Sequence, residues 1–342
     1  MANADGPSTA NRVLLSIEWA TISAGIVATI AVFVQSYARR PKPEVDAAAA
    51  VLAAKSSCEG GTGTRASLHA WVDGAELPAE PTAPEPTLDD ALRARGAQLF
   101  ATTCFNCHGV HGDGKGPLAA TLELRPADLT VGTYALRTTE HEALPTDIDL
   151  FRTITRGIHG TAMPPWFALP ERDRWALVAY VKSLSKAFTE DEAPPPVDIG
   201  QPPQTTPARI EHGRQLFATS GCASCHGAEG RGDGPAGTSL TTATGWPLKP
   251  RDFTKGRFHR GSRTVDIYTS LVTGFDGTPM ASFVKVLGPD DLWDLAMFVH
   301  ELAPAVVDQP GGLRCRKSTP ATPNADELVG LRTVLRTLPP TH

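Results

Sequence analysis

The sequence CFNCHG at residues 104–109 recurs as CASCHG at residues 222–227. The residues around the two copies also match in order, through a Gly-x-Gln-Leu-Phe segment, a glycine-rich loop, a Pro-x-Asp-(Leu/Phe)-Thr segment and a Gly-Thr-x-Met segment. In the first copy these segments begin at residues 96, 112, 126 and 160, and in the second at 213, 230, 250 and 277. A match over about 90 residues indicates a duplicated domain rather than a short structural repeat.

Cys-x-x-Cys-His is the attachment motif of c-type haem. Two thiols about one helical turn apart can bond to the two vinyl groups of one haem, and the adjoining His then lies under the iron. A redox-active dithiol or half of a zinc site would not need the His in both copies. We therefore predict two covalently bound haem c groups. The predicted attachment residues are Cys104, Cys107 and His108 in the first copy, and Cys222, Cys225 and His226 in the second.

Methionine is scarce in this chain, which makes the candidates for the second axial ligand few. Met163 and Met280 end the equivalent Gly-Thr-x-Met segments, so ligation by His and Met is predicted at both irons, an arrangement that raises the reduction potential. Met297 lies within the second closing helix, where a packing role is expected. His111 and His159 are rival ligands, but neither has a counterpart in the second copy, and both are predicted at the surface. The predicted iron ligands are His108, Met163, His226 and Met280.

Both copies resemble the small all-helical cytochrome c domain, over residues 92–187 and 209–303. In that family the first and last helices cross where a glycine meets an aromatic side chain. Gly96 and Phe100 with Trp175 and Tyr180, and Gly213 and Phe217 with Trp293 and Phe298, fit this crossing. The resemblance also implies that the carbonyls of Pro117 and Pro235 accept the Nδ1–H of the proximal histidines. The fold class expected is all-α, with three or four helices in each domain and no strands.

Residues 13–34 form an apolar stretch with one charge, Glu18, long enough to cross a hydrocarbon core. It exceeds the apolar region of a typical signal peptide, so a retained transmembrane helix at 13–35 is predicted. Glu18 is expected to face a partner helix or the headgroups. Three basic residues at 39–42 outnumber the one before the stretch, which favours a cytoplasmic body. Covalent haem attachment implies the periplasmic side instead, and we predict that the haem domains lie there.

The organisation predicted is a chain of folded modules joined by proline-rich connections. Its parts are a cytoplasmic N-terminus (1–12), a transmembrane helix (13–35), a linker (36–91), a first cytochrome c domain (92–187), a Pro-rich linker (188–208), a second cytochrome c domain (209–303) and a tail (304–342). The 41% hydrophobic and 20% charged composition excludes a wholly disordered chain. The net charge of −5, without a broad basic excess, argues against nucleic acid as a partner.

Two features lie outside the haem domains. Asn324 and Glu327 have the spacing of a capping box, and leucines at 328, 331, 335 and 338 share one helical face. They predict a short amphipathic helix that docks on a partner or on a haem domain.

Cys58 and Cys315 are the two cysteines outside the motifs. An internal disulfide is the interpretation we favour, with a lipid on Cys58 or a bridge to another subunit as alternatives.

The function expected is that of a membrane-anchored dihaem c-type cytochrome that passes single electrons between a respiratory membrane complex and a donor or acceptor protein. The architecture is similar to the dihaem subunit of cbb-type haem–copper oxidases and to that of cytochrome bc-like complexes. A dihaem enzyme of the cytochrome c peroxidase or thiosulfate dehydrogenase kind is the alternative, and a gas sensor is a second one. Both would need an open iron position, against which the two candidate methionines argue.

Overall fold

The computed structural model describes residues 79–303, 306–308, 314–316 and 325–337 of the 342-residue chain. These segments are mostly helical, and they form two similar modules followed by a tail. Among the helices described, none is long and apolar enough to cross a membrane. The transmembrane helix predicted at 13–35 lies outside the described residues, as does Cys58.

Module 1 contains five α-helices. They are α1 (Asp90–Thr103), α2 (Phe105–His108), α3 (Asp147–Arg156), α4 (Glu171–Ser183) and α5 (Ala187–Glu190), with a 3₁₀ turn at Ala119–Thr121. Side-chain caps fix where α1 and α3 begin. The Asp89 carboxylate accepts the amide of Leu92 at 2.8 Å, and Thr146 forms a capping box with Asp149. The core lies between α1, α3 and α4, where the rings of Phe151 and Trp175 stack with centroids 4.4 Å apart.

Module 2 repeats this plan with four α-helices. They are α6 (Pro207–Thr219), α7 (Cys222–His226), α8 (Thr264–Thr273) and α9 (Pro289–Glu301), with 3₁₀ turns at Pro235–Ser239 and Phe253–Lys255. Thr206 caps α6, and Pro207 occupies its first turn. Tyr268 of α8 stacks on Trp293 of α9 with centroids 3.9 Å apart, at the centre of the core. The all-α prediction is confirmed for both modules.

In each module the first helix crosses the last at a glycine. A β-carbon on Gly96 would collide with the carbonyl oxygen of Ala176 in α4, and one on Gly213 with the carbonyl of Asp294 in α9. Aromatic rings pack beside the crossings, Phe100 on Tyr180 at 5.1 Å in module 1 and Phe217 on Phe298 at 5.3 Å in module 2. Only a residue without a side chain allows this approach, so the crossing predicted from the family resemblance is confirmed.

The two modules pack directly against each other. The guanidinium of Arg137 is fully buried and bonds to the Asp276 carboxylate and to the Thr273 carbonyl of module 2, each at 2.9 Å. The Arg125 guanidinium lies over the Trp246 ring, 4.2 Å from its centroid. A buried ion pair of this kind holds one arrangement, since separating its partners would leave a charge without compensation.

The connections differ in how they meet the modules. Within the Pro-rich linker predicted at 188–208, residues 191–206 carry no helix or strand, and the Val197 amide bonds to the Thr138 carbonyl at 2.8 Å. Residues 79–89 belong to the linker predicted at 36–91, but they are packed on module 1. Ala79 is buried, and Thr82 donates both its amide and its hydroxyl to Glu171 of α4. These bonds tie the segment to module 1.

The tail contains a helix, α10 (Ala325–Thr337), at the place that the capping-box spacing predicts. Strands β1 (Val306–Asp308) and β2 (Arg314–Arg316) precede it as an antiparallel pair in which Val307 lies opposite Cys315. Within the described residues these are the only strands, and they were not predicted. The disulfide between Cys58 and Cys315 stays a prediction, because Cys58 lies outside the described residues.

The Gly213 crossing gives a stability prediction. Alanine normally stabilises a helix by about 1 kcal/mol relative to glycine, but Gly213→Ala should lower the free energy of unfolding by about 2–3 kcal/mol, because the backbone of α9 blocks the added methyl group. Denaturant unfolding of the haem-loaded protein, followed by helical circular dichroism, measures this change.

Gly288→Ala is the matched control, since Gly288 precedes α9 at a φ of −73° with no atom in the way of a β-carbon. Its effect should stay below about 1 kcal/mol. A Gly213→Ala protein as stable as the native one would show that the crossing is looser than described.

Candidate haem sites

The first candidate site is built on the short helix α2, which follows α1 without a loop. The amides of Cys107 and His108 both donate to the Cys104 carbonyl, at 3.2 and 3.0 Å, and this turn brings the two thiols and the imidazole together. Burial raises the pKa of the Cys104 thiol to about 11. Burial also raises the pKa of the Cys107 thiol, so both thiols are protonated at neutral pH.

The imidazole of His108 is oriented by a backbone carbonyl. Its Nδ1 lies 3.2 Å from the carbonyl oxygen of Ala127, which can only accept, so Nδ1 carries the proton and Nε2 keeps its lone pair. Burial lowers the pKa of His108, which favours the neutral ring. A neutral imidazole with a free Nε2 is the form that binds iron.

The second candidate site reproduces this arrangement in module 2. The Nδ1 of His226 donates to the Arg251 carbonyl at 3.1 Å, and burial lowers the pKa of this ring as well. The His226 ring stacks on Phe253 with centroids 4.4 Å apart. Burial raises the pKa of the Cys222 thiol to about 11. Both histidines thus keep the lone pair of Nε2 available for iron.

The prediction that Pro117 and Pro235 accept these Nδ1–H groups is wrong. In each module the acceptor is the carbonyl of the middle residue of the Pro-x-Asp segment, Ala127 or Arg251. The glycines before Pro117 and Pro235 donate instead to the backbone of the attachment helices, at the carbonyls of Cys107 and Cys225. This bond holds each Gly-Pro turn against the helix, while the Pro-x-Asp segment passes beside the imidazole.

Met163 and Met280 occupy equivalent, tightly bonded loops. The carbonyl of each methionine accepts an amide from five residues earlier, that of Ile158 or Phe275, at 3.0 and 2.8 Å. The amide of each donates to the threonine hydroxyl two residues earlier, at 3.0 Å in module 1 and 3.2 Å in module 2. Each side chain is partly buried on the core of its own module.

The other candidate iron ligands differ in how deeply they are buried. Met297 is buried within α9, as expected for a packing residue, and His111 is exposed, as predicted. His159, predicted at the surface, is only 6% exposed. Its counterpart Asp276 is also buried, and both lie where one module packs on the other. Only the packing between modules, which the sequence does not show, explains this burial.

A set of arginines where the two modules meet was not predicted. Arg260 is buried, and burial lowers its pKa to about 10, so the guanidinium stays charged at neutral pH. Arg137 and Arg156 of module 1 lie close enough to lower its pKa further. The signal in the sequence is the run of arginines at 251, 257, 260 and 263. The Arg260 guanidinium donates to the hydroxyls of Ser270 and Thr273, both at 3.2 Å.

The residues present therefore fit haem c. Each module offers two thiols for the vinyl groups, a neutral imidazole with Nε2 available and a thioether on a fixed loop. Among the described residues no cluster of His, Cys, Asp or Glu could hold a bare metal ion.

The family model described as Cytochrome c matches residues 93–185 and 210–303, more than half of the chain. The chain therefore belongs to the cytochrome c family and contains two tandem cytochrome c domains. Membership in this family implies covalently bound haem c at both Cys-x-x-Cys-His motifs.

Curated relatives are similar over most of this region. The chain is 27% identical over 237 residues to the cbb3-type cytochrome c oxidase subunit FixP of Azorhizobium caulinodans, which covers 67% of this chain and 66% of the relative. It is 27% identical to FixP of Sinorhizobium medicae over 64% of this chain and 63% of the relative. The chain thus matches slightly less than two thirds of the length of these relatives.

A solved structure is also similar. It is a chain from the Kuenenia stuttgartiensis reducing HAO-like protein complex Kustc0457/Kustc0458, with a TM-score of 0.60 and 38% sequence identity. The match covers 67% of this chain and 99% of that chain. The likeness supports the fold of the part of the chain that it covers.

The attachment residues determine how many haem groups the chain carries. The native chain should carry two haem groups, and the Cys104→Ala, Cys107→Ala double variant should carry one, because its remaining motif is intact. Mass spectrometry of the mature protein reads the number of haem additions. Ser224→Ala, inside the second motif but without a thiol, should keep both. An unmodified native chain would contradict the assignment.

Proposed function

We propose that the chain is a dihaem electron-transfer protein in which both irons are held by His and Met, His108 with Met163 and His226 with Met280. The observation that carries this proposal is the equivalence of the two methionine loops. Each methionine is fixed by the same pair of hydrogen bonds, and each lies on the core of the module that presents the histidine. A packing role alone would not require the same loop twice.

Haem c, when bound, supplies the one-electron chemistry of its iron. The protein residues set its conditions. The carbonyls of Ala127 and Arg251 hold the imidazoles in the tautomer that leaves Nε2 for the metal. The thioethers of Met163 and Met280 would hold the iron opposite the imidazoles, and Met ligation would raise the reduction potential. Iron held in this way would supply electron exchange and offer no position for a substrate.

The direct packing of the modules supports electron passage between the two haems. Asp276, on the methionine loop of module 2, pairs with Arg137 of module 1 in the interior of the contact. Arg251, whose carbonyl orients His226, extends its guanidinium to Gly160 in the methionine loop of module 1. The segments that hold the two irons thus touch each other.

The relatives suggest the setting. FixP is named as a subunit of a cbb3-type cytochrome c oxidase, and the similar solved chain belongs to a multi-protein complex. The chain is proposed as an electron-transfer subunit of a respiratory complex rather than an enzyme by itself. The apolar stretch at 13–35 would anchor it in the cytoplasmic membrane, with the haem modules on the periplasmic side. Its partners would be other subunits and an electron donor or acceptor protein.

Replacing the methionine ligands tests this proposal. Met163→His or Met280→His should lower the reduction potential of its own haem and leave the other nearly unchanged, because Met ligation raises the potential. The sulfur–iron charge-transfer band of the oxidised protein should weaken by about half in each variant, since one haem of two loses its thioether. Redox titration and near-infrared absorption measure the two effects.

Met297→Leu is the matched control, because Met297 is buried in α9 and is not assigned to either iron. It should keep both the band and the potentials. A full band in either Met→His variant would show that the wrong methionine was assigned.

A further inference from the structure

Helix α10 of the tail lies on the methionine loop of module 1. The carboxylate of Glu327 is completely buried and accepts the amide of Gly160 at 3.0 Å. Its other oxygen pairs with the guanidinium of Arg257 in module 2 at 2.6 Å. This buried carboxylate, which both modules share, fixes the position of the helix. Moving the helix away would remove the Glu327 carboxylate from the buried guanidinium of Arg257, which is costly.

The next turn of α10 brings the two backbones together. Gly330 lies against the carbonyl of Ala162, where a β-carbon would collide, and Leu331 is only 2% exposed within the core cluster of module 1. Pro164 lies 3.4 Å from the β-carbon position of Gly330. The helix therefore covers both neighbours of Met163.

The first turn of α10 reaches the attachment side of the same module. Asp326 accepts the amides of Glu123 and Leu124, at 3.4 and 3.3 Å. Its carboxylate also lies near the Cys107 thiol, whose pKa is raised first by burial and then by this charge. A haem bound through a thioether at Cys107 would have one edge there. Because α10 touches both the surroundings of Cys107 and the Met163 loop, it would cover that edge.

Module 2 differs at the equivalent positions. Pro279 and Ala281 correspond to Ala162 and Pro164, and both are exposed, whereas the residues of module 1 are buried. Farther along the same loop, Val284 and Val286 are 51% and 71% exposed. Lys285 between them is also exposed and is the only charged residue of 279–287. The surface beside Met280 is open to solvent.

We propose that α10 closes the haem edge of module 1 to external redox proteins, so that electrons enter and leave the chain through module 2. The inference rests on the electron-transfer function proposed above. One electron leaves an external donor, which is oxidised, and reduces the ferric iron of module 2. It then passes to the ferric iron of module 1. Because electron transfer slows steeply with distance, a helix of about 10 Å diameter over module 1 is an effective barrier.

Charge reversal on the two surfaces tests the route in the full-length, haem-loaded protein. The reduced protein is oxidised at low salt by ferricyanide, an anion, or by tris(phenanthroline)cobalt(III), a cation. Lys285→Glu should slow ferricyanide and speed the cobalt complex, each roughly two- to fivefold, because a charge near the point of exchange steers the reagent. Stopped-flow absorption of the haem gives both rate constants.

Arg332→Glu is the matched control, with the same change of charge at an exposed position of α10 over module 1. It should alter neither rate constant measurably. Equal effects of Arg332→Glu and Lys285→Glu would overturn the inference, since electrons would then also leave through module 1. If neither reagent oxidises the native protein, the electron-transfer function fails instead.

A second variant displaces the helix. Gly330→Leu places a side chain against the Ala162 carbonyl and should lift α10 from module 1. Module 1 then becomes a second point of exchange, so adding Lys285→Glu should change the rates less than it does in the native background. An undiminished effect of Lys285→Glu in this variant would show that α10 is not the barrier.

Discussion

The close approach of the first and last helices is the constraint on which each module depends. Gly96 lets α1 meet the backbone of α4, and Gly213 does the same for α6 and α9. The attachment helix follows the first of these helices directly, and the methionine loop precedes the last by only a few residues. The crossing therefore positions the histidine and the methionine of each module relative to one another.

The two modules share this plan but meet different surroundings. A buried ion pair joins them directly, Arg137 with Asp276. Glu327 of α10 links them through the tail, because it pairs with Arg257 of module 2 and accepts the amide of Gly160 of module 1. Buried ion pairs contribute little net stability, but they favour a single arrangement of the parts that they join. Here they keep the two methionine loops in contact with the opposite module. Helix α10 adds an asymmetry, because its described residues pack on the methionine loop of module 1 and not on that of module 2. The duplicated domain thereby gains two different sites.

Much of this could be predicted from the sequence because the signals are local. The Cys-x-x-Cys-His spacing, the paired Gly-Thr-x-Met segments and the capping box at Asn324 each lie within a few residues of the structure that they specify. The partners of the imidazole Nδ1 atoms could not be predicted, since they depend on the path of a loop about 20 residues farther on. The burial of His159 and the arginine cluster depend on how one module packs on the other.

Electron transfer without a substrate site requires that both irons be closed by protein ligands on both sides. Carbon monoxide binds ferrous haem only where an axial position is open or its ligand is displaced. The visible spectrum of the reduced, haem-loaded native protein with and without carbon monoxide tests this claim directly. We predict no change at either haem. A carbon monoxide complex at one or both haems would contradict the electron-transfer account and favour a dihaem enzyme or a gas sensor.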